Sequence, residues 1–318
     1  MAEEEFEYSQ FPGRWATPAG GALGCLTIVA ASALGASDRP GAAVALIFAA
    51  VLILAIGGRA VSRRVTTLPL ARASASNLVA TRGVPRVWLV AHLDSKSQPV
   101  PMLLRITGIV LTSAVLALLT ALALRAMAGA EIPFRAWHVV SIAGMITSLP
   151  VIFSVVGARS AGALDNGTGI VTVLLAAEAL PRTMSLGVVL TSAEELGMAG
   201  ARAFAAHRSA AMAINVDGID DHGSTLCMYH GRAARVRVGV ARAARAIGMK
   251  VTEQPTIPGL LTDGVALADA GWSAVTVSRG RLSTLWRIQR AADSPEKVRG
   301  IGMHEVARLV ANAAREIA

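Results

Sequence analysis

The sequence predicts an α/β protein in two parts, a helix-flanked β-sheet and four transmembrane α-helices arranged as two hairpins. Three observations carry this expectation. Four apolar runs of roughly 18–23 residues are each long enough to cross a hydrocarbon core about 30 Å thick. Beyond Arg159, short apolar runs alternate with helical segments. Acidic and histidine side chains recur where the predicted strands end.

The 318 residues are 53% hydrophobic, 16% charged and only 4% aromatic, so the apolarity comes from Ala, Val, Leu and Ile. It is concentrated in runs at approximately Thr17–Ala36, Gly41–Gly58, Ile106–Ala128 and Trp137–Gly157. The short links ASDRP and AEIPFR join them into two pairs. A secretory signal fits the first run poorly, because the preceding MAEEEFEYSQFPGRW is acidic where a signal opens basic. Arg14, Arg59, Arg63, Arg64, Arg72, Lys96, Arg105 and Arg159 flank one side of the spans, against Arg39, Arg125 and Arg135 on the other. The side richer in Lys and Arg is expected to be cytoplasmic. The chain is thus expected to be a multi-pass integral membrane protein in contact with the lipid bilayer, its soluble part facing the cytoplasm. The net charge of +9 fits this bias plus a basic C-terminal half. Basic residues spread over helical faces without aromatic interleaving argue against a nucleic-acid partner. Cys25 and Cys227 are the only cysteines, which leaves no disulfide framework and no cysteine-based metal site. Oligomeric state stays open, although Gly21, Ala22 and Gly24 would permit close helix packing.

In the soluble part, NLVATRGVPRVWLVA reads as two strands around a Gly/Pro turn. GIVTVLLAAEAL reads as a helix, SLGVVLTS as a strand, GMAGARAFAAH as a helix and MAINVD as a strand. LCMYH is a further possible strand, AARVRVGVARAARAIG a basic amphipathic helix and SAVTVS another strand. SPEKVRGIGMHEVARLVANAARE reads as a closing helix, with Ser294 at the N-cap and Pro295 at the first position. Such alternation implies a sheet with helices on both faces. The expected organisation is an N-terminal segment with the first hairpin (residues 1–74), a first piece of the sheet domain (75–102), an inserted second hairpin (103–157) and the remainder of the sheet domain (158–318).

His92 and Asp94 follow VWLVA, Asp165 lies in GALDNGTG, Glu194 and Glu195 follow VVLTSA, and Asp217 ends MAINVD. Loops at strand carboxyl ends form the crevice of open α/β sheets, so these groups could converge there. Crowded carboxylates repel one another, and a divalent cation is the usual compensation. Imidazole plus carboxylates suits zinc. Singly, each piece has a plainer reading as a capped loop, a turn or a helix-dipole partner; their order and shared context favour a site.

The motifs AHLDS, GALDNGTG, TSAEELGMAGARAF and INVDG, in that order, resemble the co-catalytic zinc aminopeptidase family that also includes glutaminyl cyclases. The resemblance runs from about Asn77 to the C-terminus and implies a mixed β-sheet in a three-layer sandwich. It assigns His92 to a first zinc, Asp94 to fixing the imidazole tautomer behind it, and Asp165 to bridging two metals. It assigns Glu195 to the second metal, Asp217 to the first, and Glu194 to the general base that takes a proton from the attacking water. Two positions depart from the pattern. In TLWRIQRAADSPEKV, which keeps Asp293 and Ser294, Gln289 stands where a histidine ligand is expected, and a neutral amide is a weak zinc donor. In LTDGVALADAGW, Gly264 follows Asp263 where histidine is common. The first zinc site is therefore complete and the second weak or absent. The resemblance implies a membrane-anchored zinc metallopeptidase, an aminopeptidase acting on peptide substrates. The competing expectation is an impaired peptidase-like binding or scaffold protein, which Gln289 would favour.

Overall fold

A computed structural model describes residues 1–257 and 260–318. The chain forms two compact units. One comprises Met1–Gln10, Arg63–Ser97 and Ala158–Ala318, and the other Phe11–Ser62 and Gln98–Gly157.

The second unit is helical: α1 (Ala16–Ala36), α2 (Pro40–Arg63, its final residue belonging to the first unit), α3 (Met102–Met127) and α4 (Phe134–Ile152). All four are long and apolar enough to cross a membrane. Their shared core holds Ile28 and Ala31 of α1, Ala43 and Ile47 of α2, Leu119 and Ala123 of α3, and Trp137 and Val140 of α4. Small residues allow the close approaches. A Cβ on Gly35 would collide with the Trp137 ring at 2.5 Å, and one on Gly144 with Ile28 at 2.5 Å. Phe48, Ile53 and Ile56 of α2 and Val110 of α3 stay exposed, as a surface suited to lipid would have them.

The first unit is a helix-flanked mixed sheet of β1 (Ala2–Ser9), β2 (Arg72–Arg82), β3 (Val87–His92), β4 (Leu186–Thr191), β5 (Met212–Ile219), β6 (Ser224–Tyr229), β7 (Val251–Pro255) and β8 (Ser273–Gly280). Their order is β1-β2-β4-β3-β5-β8-β6-β7. The central strands β4, β3, β5 and β8 run parallel, whereas β1, β2 and β6 pair antiparallel with their inner neighbours. VWLVAH in β3 and LGVVLT in β4 are buried at every position, as strands covered on both faces require. Leu89 and Ala91 pack with α5 (Thr168–Glu178), α7 (Ala234–Ala246) and α10 (Ile301–Ile317). Their alternates Trp88 and Val90 pack with α6 (Ala199–Ala206) and α8 (Asp263–Asp269). The period of two along one strand thus separates two cores, which gives three layers.

Several details differ from the sequence reading, which also left β7 and α8 unassigned. The acidic opening AEEEFEYS, unassigned by pattern, forms β1 and pairs with β2 along its whole length. The closing helix starts at Ile301: Pro295–Lys297 make a single 3-10 turn, and Gly300 adopts φ 91 before α10 begins. A short helix α9 (Leu282–Arg287) also precedes Gln289. Where the chain leaves β3 for α3 and later returns, the Arg159 N–H donates to Ser97 Oγ at 2.8 Å and Ser95 Oγ donates to the Ser160 carbonyl at 3.4 Å.

Candidate metal centre

The parallel strands β3, β4 and β5 deliver their carboxyl ends to one place, and most of the expected groups meet there. His92 closes β3, Glu194 and Glu195 follow β4, Asp217 lies in β5, and Asp165 sits in the turn Ala163–Gly167 that leads into α5. The His92 Nε2 atom lies 3.0 Å from Asp165 Oδ1 and 3.6 Å from Asp217 Oδ1. One ligand atom from each of these three residues falls within 4.8 Å of the other two, a spacing that fits a single metal ion. The donor set, one imidazole nitrogen and two carboxylates, suits zinc.

The supports of this trio come from both near and distant segments. His92 Nδ1 donates to the main-chain carbonyl of Asp94 at 2.9 Å, which turns Nε2 toward the carboxylates. The Asp94 carboxylate lies 3.8 Å from Nδ1 of the same ring and takes its own hydrogen bonds from the main chain. Its Oδ1 accepts from the Glu194 N–H at 3.0 Å and its Oδ2 from the Glu195 N–H at 3.1 Å. The hydrogen bond of the imidazole goes to the main chain of Asp94, and the Asp94 side chain, expected to fix the imidazole, also holds the backbone of the paired glutamates. Asp293 accepts the N–H groups of Leu164 at 2.7 Å and Asp165 at 3.3 Å, so it anchors the turn that carries Asp165. The Asp165–Asn166 peptide is cis. Asn166 bridges to β5 by donating to the Val216 carbonyl at 2.9 Å and accepting from the Gly218 N–H at 3.1 Å.

The electrostatics are those of crowded buried acids. Burial and the neighbouring charges of Glu195, Asp217 and Asp263 raise Glu194 well above the usual carboxylate range, against the pull of His92. Glu195 is pushed up to about 7 by burial and Asp165, with Lys96 and His92 opposing. Burial works against a charged His92, yet Glu194, Asp165 and Asp217 together raise it well above its ordinary value. Asp165 moves the other way: burial is outweighed by His92, Lys96 and the Gln289 amide, and its carboxyl falls below the ordinary range.

Two participants have no place in the strand-end pattern. Asp263, fully buried at the start of α8, accepts a hydrogen bond from the Thr191 hydroxyl and is pushed up to about 7 by burial. Lys96 forms an ion pair with Glu195. Its signal was present in AHLDSKS, where the only cation of the loop stands two residues after Asp94. Gln289 is buried, and its Nε2 donates to Asp165 Oδ2 at 2.9 Å. Ala193, Met198 and Gln289 have φ of 54°, 59° and 60°. Each such left-handed residue costs about 1–2 kcal/mol, and such strain gathers at working sites.

The Peptidase family M28 profile matches residues 77–314. No curated protein matches the sequence. Among solved structures, the aminopeptidase from Aneurinibacillus sp. strain AM-1 is similar at 15% identity and a TM-score of 0.51, over 78% of this chain and 50% of its own. The Legionella pneumophila LapA aminopeptidase is similar at 13% identity and a TM-score of 0.51, over 76% of this chain and 55% of its own. Legionella pneumophila LapB gives 10% identity and a TM-score of 0.50 over 80% and 57%. The chain thus spans only about half the length of these structures, and the likeness is one of fold. With the profile covering most of the chain and its sheet, this protein belongs to peptidase family M28.

Proposed function

We propose that the chain is a membrane-anchored zinc metallopeptidase, an aminopeptidase that cleaves peptide bonds with one zinc ion and Glu194 as general base. The observation that supports it is the meeting of His92, Asp165 and Asp217 beside a buried carboxylate, Glu194, close enough for its charge to act on the imidazole. Zinc held by His92, Asp165 and Asp217 would acidify a water and polarise the scissile carbonyl. Glu194 takes the proton of the attacking water and returns it to the leaving nitrogen, the task of an unligated carboxylate within reach. Asp94 holds the backbone from which Glu194 projects, and Asp293 holds that of Asp165.

The protein is purified in detergent, loaded with zinc and tested on an aminoacyl-arylamide panel. Turnover that falls by about 10²–10⁴-fold in Glu194→Gln, with zinc retained, is the expected result. A zinc-loaded wild type with no turnover on any peptide or amide would instead favour a binding or scaffold role. The excess of Lys and Arg on one flank supports a cytoplasmic sheet domain. Cysteines introduced at the exposed Ser37 and Ser283 test this in intact cells. Labelling of Ser283→Cys from outside would overturn that orientation.

A further inference from the structure

Both carboxylates expected to hold a second ion are met by protein nitrogen. Asp165 meets His92 Nε2 through Oδ1 at 3.0 Å, but its other oxygen, Oδ2, accepts the Gln289 amide at 2.9 Å. Glu195 meets the ammonium of Lys96 through Oε2. Asp165 and Glu195 are the two carboxylates expected to hold a second ion, and each presents an oxygen to an N–H donor instead. A donor and a cation compete for the same lone pair, and an ammonium beside a dication is repelled. Only Oε1 of Glu195 is left without a hydrogen-bond partner among the described residues, and one oxygen next to an ammonium is not a site for a second dication.

We propose that Lys96 and Gln289 together take the place of the second metal ion, so that the centre is mononuclear by construction. This rests on the zinc peptidase reading above. The ammonium supplies the positive charge Glu195 needs in a buried setting, and the amide pins Asp165 so that only Oδ1 is offered to the remaining ion. One dication and Lys96 together match the three charges of the ligands Asp165 and Asp217 and of Glu195. Taken alone, Gln289 looks like the loss of a ligand. Taken with Lys96 it is half of an exchange, in which a histidine-bound cation gives way to a lysine and a hydrogen-bonding amide. Lys96 is a positioning residue in this scheme: it holds Glu195, whose backbone Asp94 fixes from the other side.

The test is metal content of the full-length protein in detergent. Wild type, Gln289→His and Lys96→Ser/Gln289→His are saturated with zinc, dialysed and measured by plasma mass spectrometry. Zinc titration calorimetry and circular dichroism accompany this to count sites and verify folding. The expected stoichiometries are one, one and approaching two. Two zinc ions in the wild type, or in Gln289→His with Lys96 intact, would overturn the proposal. A folded double variant that stays at one would overturn it too, since Lys96 would then not be what excludes the ion. The wild-type count needs no variant to fold, so it tests the exchange by itself. A wild type with no zinc at all gives a different signature and removes the zinc peptidase reading beneath it.

Discussion

Asp94 offers the sharpest test of how the centre is supported. In Asp94→Ala, the Glu194 and Glu195 N–H groups lose acceptors at 3.0 and 3.1 Å. Hydrogen bonds to a charged partner contribute about 1.5–3 kcal/mol each. The Asp94 side chain is 26% exposed, so water can reach the stranded donors and the low end applies. The summed loss is then about 3 kcal/mol, or roughly 6–12 °C in Tm for a domain of this size. Asp94→Asn is nearly as damaging, because its amide nitrogen must face one of the two N–H groups. Thermal unfolding, zinc affinity by chelator competition and turnover on an arylamide substrate are measured for both variants. Turnover is expected to fall by about 10–100-fold, the usual cost of losing support behind a site. Zinc affinity should fall less, because the His92 Nδ1 partner is the main-chain carbonyl of residue 94, which both variants keep. An unchanged Tm with zinc affinity down tenfold or more would refute this reasoning and return the carboxylate to the imidazole.

Two further outcomes follow from the fold. Phe204 is 1% exposed and packs with ring centroids 4.8 Å from Trp88 and 5.7 Å from Trp272, so Phe204→Ala should cost about 3–5 kcal/mol by chemical denaturation while zinc stoichiometry stays at wild-type level. Asp221 accepts the Arg299 N–H at 2.6 Å and the Gly302 N–H at 3.2 Å at the start of α10; burial notwithstanding, these bonds hold its carboxyl below the usual range. Its contribution is therefore complete above the unfolded carboxylate value and lost as pH falls through the folded one. Asp221→Asn should destabilise by about 1 kcal/mol near neutral pH, and the gap should close below about pH 4; a gap independent of pH would show that the charge does not matter.

The sequence disclosed what depends on composition over a long window or on residue type at a strand end. The four long apolar helices needed only length and apolarity, and His92 and Asp217 needed only buried strands that run up to a ligand, whereas Asp165 sits in a turn and was legible only through its motif GALDNGTG. What stayed hidden is set by pairing across the fold. The alternation in AEEEFEYS is masked by its charges, and it becomes a strand because β2 offers a free edge. Ser294 and Pro295 look like a helix start, yet the Ser294 side chain makes no cap bond and α10 begins only after the left-handed Gly300. The partners of Lys96 and Asp263 follow Lys96 by 99 residues in one case and precede Asp263 by 72 in the other, so no local spacing announces them.

The junction between Ser97 and Arg159 also bears on how the molecule is made. In the sheet, β3 lies between β4 and β5, and both are encoded after the α3–α4 hairpin. As the polypeptide emerges from the ribosome, the strand bearing His92 therefore has neither lateral partner until that hairpin has been synthesised. The carboxylates of Asp165 and Asp217 arrive later still. Assembly of the centre thus waits on the apolar insert by chain order alone, so a nascent protein stalled within α3 or α4 carries His92 with no site to join.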